Sequence, residues 1–519
     1  MQKLPILCLL LLLSAPGCGG RDDRLNNWEE MEGPAISGSQ AVYLDHNFDE
    51  AVILTLAAQE KAPSVTRVAI HPDTKLLAAI PSQDGLLLQS VSTESLTLLK
   101  PATGTSQTFT LDEPYDRFLV QDEPPVVAAW FSANASGTDD SLFVNLGEIA
   151  FVDLSKKEKA IQKIVLKNYG DAFLGVDVAP RVPTGDGGRM FAFARGISYL
   201  SLVDAERPDF TPISIPLKAP DSDANILPGP LQFIVTNGHL AALFLAQGMT
   251  DLYTLDISVP DLAAGGTGVS VNVFPTTQGA SSFTTYTRAD GDTGIIVLAP
   301  SSRQVAVVHP ATSAVTIYPL EGMSPNRLDI FTRVSPETGV EEEYAFIYDA
   351  SGGAKSYYLV ALHHLAEKKS KAFERFPLPA GVRAVYLLSD DEFLVMHSGG
   401  NAPMSLVTAD SKGSVSSIGG NLTVSNEQFS ADGKTLFALA RKGTKSYVAA
   451  FDVATFQERV VEVSYGLPAT RLSVLSDAGL VLAHDSNGMT LTVLPVDFTS
   501  GDQDAAVQFF LPALNGLDL

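Results

Sequence analysis

The chain has 519 residues, 45% of them hydrophobic and 18% charged, so it carries apolar mass for an extensive core. A single conventional core seldom grows past about 250–300 residues, which leaves several domains or an array of repeats, each packing on its neighbours. The formal net charge of −24 repels phosphates and anionic headgroups, so nucleic acid and direct electrostatic membrane binding are excluded as expected partners.

Met1-Gln2-Lys3 is a short basic start, and Leu4–Leu13 is an apolar run too short to span a bilayer, which takes about 20 helical residues. It fits the core of a secretory signal, with Cys8 as an apolar filler. Ser14-Ala15-Pro16-Gly17-Cys18 follows. Small residues before a cysteine, directly after such a run, resemble a bacterial lipoprotein signal. The resemblance implies cleavage before Cys18, lipid on its sulfur, and a cell-envelope address, the outer membrane first. Ala15 stands where that family usually has leucine, and Pro16 is uncommon there. The alternative is secretion to the periplasm or beyond, with Cys18 as a spare residue. No other cysteine exists, so the body has no internal disulfide, zinc–thiolate cluster or cysteine nucleophile.

Residues 1–17 therefore read as signal peptide. Residues 18–40 show neither apolar period, carry Gly33-Pro34 and Gly38, and read as a flexible tether reaching roughly 25 Å. Trp28 reads as a loosely packed part of it. The folded body is expected over 41–519.

That body is repetitive. An apolar run meets Asp or another polar residue, then a turn, at Asp45, Lys100, Asp153, Asp204, Asp256, His309, His363, Asp410, Asp452 and Asp497. Successive landmarks lie 42 to 55 residues apart. Such a step suits a four-stranded blade, and the landmark reads as the end of each third strand. A second landmark, a Ser/His-Pro/Ala-Asp-Gly turn, reads as the link between first and second strands. It occurs at His71–Lys75, Ser389–Asp391, Ser430–Lys434 and Ser476–Gly479. Residues 425–463 show the whole unit: four short apolar runs separated by turn residues.

Phe429-Ser-Ala-Asp-Gly-Lys-Thr-Leu-Phe-Ala438 resembles the common turn-and-strand phrase of the YVTN-repeat, WD-repeat and Tol-type propeller families, and by repeat logic the resemblance covers 41–511. The fold class expected is all-β: one propeller of four-stranded antiparallel blades, eight or nine in number, with seven as fallback. The landmark at Asp45 leaves no evident room upstream for two strands, so the count does not close. Leu359–Phe376 is the nearest thing to a helix, and strand, charged turn, strand explains it with less. Longer inserts at 134–141, 183–188, 220–228 and 260–268 read as surface loops, where binding residues gather.

Chemistry is sparse. No Gly-x-Ser-x-Gly turn holds a nucleophile, and Gly413-Ser-Val-Ser416 and Gly279-Ala-Ser281 read as loop serines. Of the eight histidines only His363 and His364 adjoin, and strand neighbours point to opposite faces. His397 and His484 both end second strands and read as structural. Asp221-Ser-Asp223-Ala-Asn225 starts like a calcium loop, but Ile226 and Gln232 replace the turn glycine and the bidentate acid. Asp290-Gly-Asp292 and Asp502-Gln-Asp504 read as turns. Two tryptophans, Trp28 and Trp130, are too few for a quinone-type propeller, and no Gly-rich phosphate loop follows a strand. The expectation is no catalytic, cofactor or metal residue, and Cys18 as the one modified site. Function reads as a lipid-anchored binding or scaffold protein, working through loops on one face of the ring on an unknown envelope protein or ligand. The alternatives are a lactonase-like enzyme with its site in a central channel, as the YVTN resemblance implies, and an envelope-assembly component.

Overall fold

In a computed structural model, residues 31–510 are described apart from 57–63, 134–144, 158–159, 167–172, 184–187, 208–209, 220–223, 237–238, 264–267, 289–290, 335–340, 363–364, 366–372, 390–391, 400–402, 409–414, 419–421, 456, 464–467 and 486–489. Cys8, Cys18, Trp28, the His363–His364 pair and most of the four long inserts lie outside them.

The fold is a β-propeller of ten blades, each a four-stranded antiparallel meander of consecutive strands. The blades span 31–69, 75–110, 117–165, 175–216, 232–275, 282–319, 327–377, 382–418, 423–462 and 469–510. Two compact units result: blades 1, 2, 9 and 10 in one, blades 3 to 8 in the other. The longest run of helix among the described residues is one turn, Val259–Ala263.

Middle strands are buried along nearly their whole length, as in Thr293–Ala299 and Gln304–His309, because another blade covers each face. They accordingly read as unbroken Val, Ile, Leu and Ala rather than as an alternation. Fourth strands keep a solvated face, as Ala314–Pro319 does. Within each unit, each core is shared by two consecutive blades. Phe193 and Phe244 belong to the one between blades 4 and 5, and Phe346 stacks on Tyr357 (4.3 Å) while touching Phe393 of blade 8 (5.2 Å).

The Asp landmark has a physical cause. Asp153 Oδ1 accepts the Ser155 amide (3.0 Å), Asp204 Oδ1 the Glu206 amide (3.0 Å), and Asp452 Oδ1 the Ala454 and Thr455 amides (3.1 and 2.7 Å). Each is an Asx-turn that ends a third strand and reverses the chain into the fourth.

The expected count of eight or nine blades, or seven, is corrected to ten. The missing strand is Met31–Ser37, which pairs with Gln40–Asp45. It lies inside 18–40, so the tether reading fails for its last ten residues. A register shift between Glu32 and Ala35, beside Gly33 with φ of 133°, breaks the alternation that would have revealed it. Gly38, at φ 56°, turns the chain into the next strand. Asp45 thus closes a second strand, not a third. His71–Lys75 is likewise corrected: it joins the last strand of blade 1, Ser64–Ala69, to the first of blade 2, Lys75–Ile80. The turns at Ser430–Lys434 and Ser476–Gly479 do link first and second strands.

Blades 10 and 1 share no strand. They pack face to face, with Leu482, Leu491 and Val493 against Tyr43, Val52 and Leu54. Arg471 Nη1 also donates to Gly33 O across this seam (2.6 Å).

Candidate binding cleft between blades 5 and 6

One end of every blade carries the start of its first strand, its 2→3 turn and the arrival from the preceding blade. At this end of blades 5 and 6 lies a cleft of about 370 Å³. Gly229, Pro230, Gln232, Leu245, Ala246 and Gln247 form its blade 5 side, and Ala280, Ser281, Ser282 and Phe283 its blade 6 side. None of these side chains is charged.

Local backbone pairing shapes both walls. Gly229 N donates to Leu245 O (3.0 Å) and Gln247 N to Leu227 O (2.8 Å), extending the pairing of Gln232–Thr236 with His239–Leu245 beyond the blade. A Cβ on Gly229 would stand 2.8 Å from Leu245 O, so this approach requires glycine. Pro230 then bends the chain into the first strand. On the other wall Gly279 adopts φ 80°, where a Cβ would overlap the Ser301 hydroxyl. Ser281 N donates to Leu298 O (3.0 Å). Gln232 Nε2 donates to Phe283 O (3.1 Å), clasping the two first strands across the cleft.

Blade 4 buttresses the blade 5 wall. Arg195 Nε lies 2.6 Å from Asp177 Oδ2, both side chains mostly buried. Arg195 Nη1 donates to Pro228 O (3.2 Å), and Asp177 accepts from the Leu231 amide. Burial raises the Asp177 pKa, although Arg195 and the Leu231 amide pull it down. Gly175, directly across the ladder from Arg195, leaves the space that the guanidinium fills. Beside it Leu174 and Ile197 are exposed apolar residues at the same end of blade 4.

A second polar group lies at blades 7 and 8. Asp329, its pKa raised by burial, bonds the Tyr348 hydroxyl, with Arg327 nearby. Burial, then Asp329 itself, raises Tyr348, and Tyr386 adds to this.

The residues singled out in the sequence scatter. His397 is buried between Gly381 O (3.2 Å) and Ser405 Oγ (2.7 Å), and burial lowers its pKa. His484 is buried against Tyr43 at the blade 10–blade 1 seam. His239 faces Asp256 on the surface (3.6 Å), and His46 faces Glu32 (3.4 Å). Asp221, Asp223 and Asp290 fall outside the described residues. Asp502 caps the turn at Ala505 (3.2 Å). Among the described residues no three of His, Cys, Asp and Glu gather as a metal would need, and no helix is long and apolar enough to cross a membrane. Ser281, read as a loop serine, reaches the cleft, and so does Gln232. The sequence shows Gln232 only as a failed calcium ligand, and Asp177, Arg195 and Gln247 carry no motif.

No family model matches the chain, and no curated protein matches it. Solved structures do. Dihydro-heme d1 dehydrogenase NirN is 11% identical with a TM-score of 0.40, covering 73% of each chain. A eukaryotic initiation factor is 10% identical at 0.44, covering 80% of this chain and 94% of its own. The Dos1 propeller is 11% identical at 0.37, covering 73% and 91%.

Proposed function

We propose that this chain is a binding protein of the bacterial cell envelope, held by lipid at Cys18, whose ligand sits in the cleft between blades 5 and 6. The observation that carries the reading is the chemistry of that cleft. Its walls supply amides, hydroxyls and apolar surface, which orient a ligand. Among the described residues they supply no general base beside Ser281 or Ser282 and no charged group to stabilise a transition state. The exposed Leu174 and Ile197, at the same end of the neighbouring blade, extend the contact surface. The second reading, a small-molecule enzyme, draws on Asp329, a carboxylate that burial makes a stronger base and that the Tyr348 hydroxyl holds in place.

Native mass spectrometry of the purified chain after incubation with cell extract separates the two. Binding predicts that wild type retains a small ligand and that Ser282→Trp, which fills the cleft, does not. Equal retention by both forms, or conversion of extract components by wild type, contradicts the reading.

A further inference from the structure

We propose, resting on the cleft as the binding site, that its ligand is an uncharged, hydroxyl-rich small molecule of mono- or disaccharide size.

Charge is the first argument. No described lining group is ionised, and the Arg195 guanidinium behind the blade 5 wall is engaged by Asp177 and Pro228 O. A charged ligand would give up hydration there and gain no counter-charge. The chain's net charge of −24 adds a general repulsion of anions.

Hydrogen bonding is the second. Gln232 has its amide nitrogen on Phe283 O, which leaves Oε1 to accept. Gln247 offers both halves of its carboxamide, and the Ser281 and Ser282 hydroxyls each donate and accept. Vicinal hydroxyls present the same paired donor and acceptor character. The backbone amides of Gly229, Gln247 and Ser281 are already bonded within the chain, so recognition at these walls falls to side chains. That disfavours an extended peptide, which gains its affinity from main-chain pairing.

Size and the apolar wall are the third. About 370 Å³ stands at the low end of ligand clefts, roughly 300–1,000 Å³, and suits one or two sugar rings. Leu245, Ala246 and Ala280 give the C–H faces of such rings an apolar surface.

The test is isothermal titration calorimetry on the full chain. The probes are glucose, N-acetylglucosamine, maltose and trehalose, the charged sugars glucuronic acid and glucosamine, and the capped dipeptide N-acetyl-alanyl-alanine amide. The proposal expects saturable binding of at least one neutral sugar and none of the charged ones. It also expects a loss of about tenfold or more in Gln247→Leu, with an unchanged thermal melt, and complete loss in Ser282→Trp. Absence of neutral-sugar binding, or equal binding of the charged sugars, overturns it. Dipeptide binding that Ser282→Trp abolishes would overturn the sugar assignment and leave the cleft reading standing. Binding of any probe that Ser282→Trp leaves intact would overturn both.

Discussion

The Tyr43 hydroxyl and His484 Nδ1 lie 3.1 Å apart, although 441 residues separate them in the chain. Both are almost fully buried, and their rings meet edge to face at 6.0 Å. This contact joins the first blade to the last, where no strand is exchanged. Burial lowers the His484 pKa to about 4, with the Arg471 charge adding to the shift and Asp485 opposing it. The unfolded value is near 6.5. The folded state therefore resists the proton: the contribution is complete above pH 6.5 and is lost progressively as pH falls toward 4. Its size is on the order of 3 kcal/mol. Thermal melts at pH 7 and pH 4.5 should differ less in His484→Leu than in wild type. His397, shifted the same way by burial, keeps part of the difference. An unchanged difference contradicts the assignment.

Gly175→Ala tests the blade 4 buttress. Its Cβ would overlap Arg195 Nη2 and push the guanidinium off Asp177. Both partners remain and the guanidinium is the far end of a flexible side chain, so the cost stays below that of deleting a partner, on the order of 1–2 kcal/mol. Urea unfolding should show a loss of that order, and a change below about 0.5 kcal/mol, the scale of ordinary surface substitutions, contradicts it.

The Asp landmark makes a graded prediction. Asp204 is fully buried and bonds Arg189 through Nε (2.9 Å) and Nη2 (2.7 Å) besides capping its turn. Asp452 caps a turn at the surface. Asp204→Ala leaves Arg189 buried without its partner and should cost about 3–5 kcal/mol. Asp452→Ala loses the turn alone, so its denaturation midpoint should move far less. Equal losses would mean that the turn, not the ion pair, dominates at Asp204.

Cys18 carries the proposed anchor. Labelling cells with a lipid precursor should mark wild type and leave Cys18→Ser unlabelled and released from membranes. A labelled, membrane-bound Cys18→Ser protein would end the lipoprotein proposal.

The architecture was legible because each Asx-turn puts its Asp in one-letter view at the end of a strand, as Asp153, Asp204 and Asp452 show. The blade number was not. Glu32 and Ala35 flank a bulge that erases the period of two, and Gly33-Pro34 reads locally as a linker. Burial on both faces hid which runs were second strands and which third, so Asp45 passed for a third-strand end. The cleft was less visible still. Gln232, Gln247 and Ser282 are ordinary polar residues whose meeting depends on two separate blades. The Asp177–Arg195 pair is formed by registers that give no sequence signal.

The central claim, that the ligand is held between blades 5 and 6, is tested most directly by photo-cross-linking in intact cells. A photo-reactive residue replaces Pro230, at the cleft wall, in one protein and Asp292, in the 1→2 turn at the other end of blade 6, in a second. The account predicts a small-molecule adduct from position 230 and none from 292. An adduct from 292 alone would contradict it.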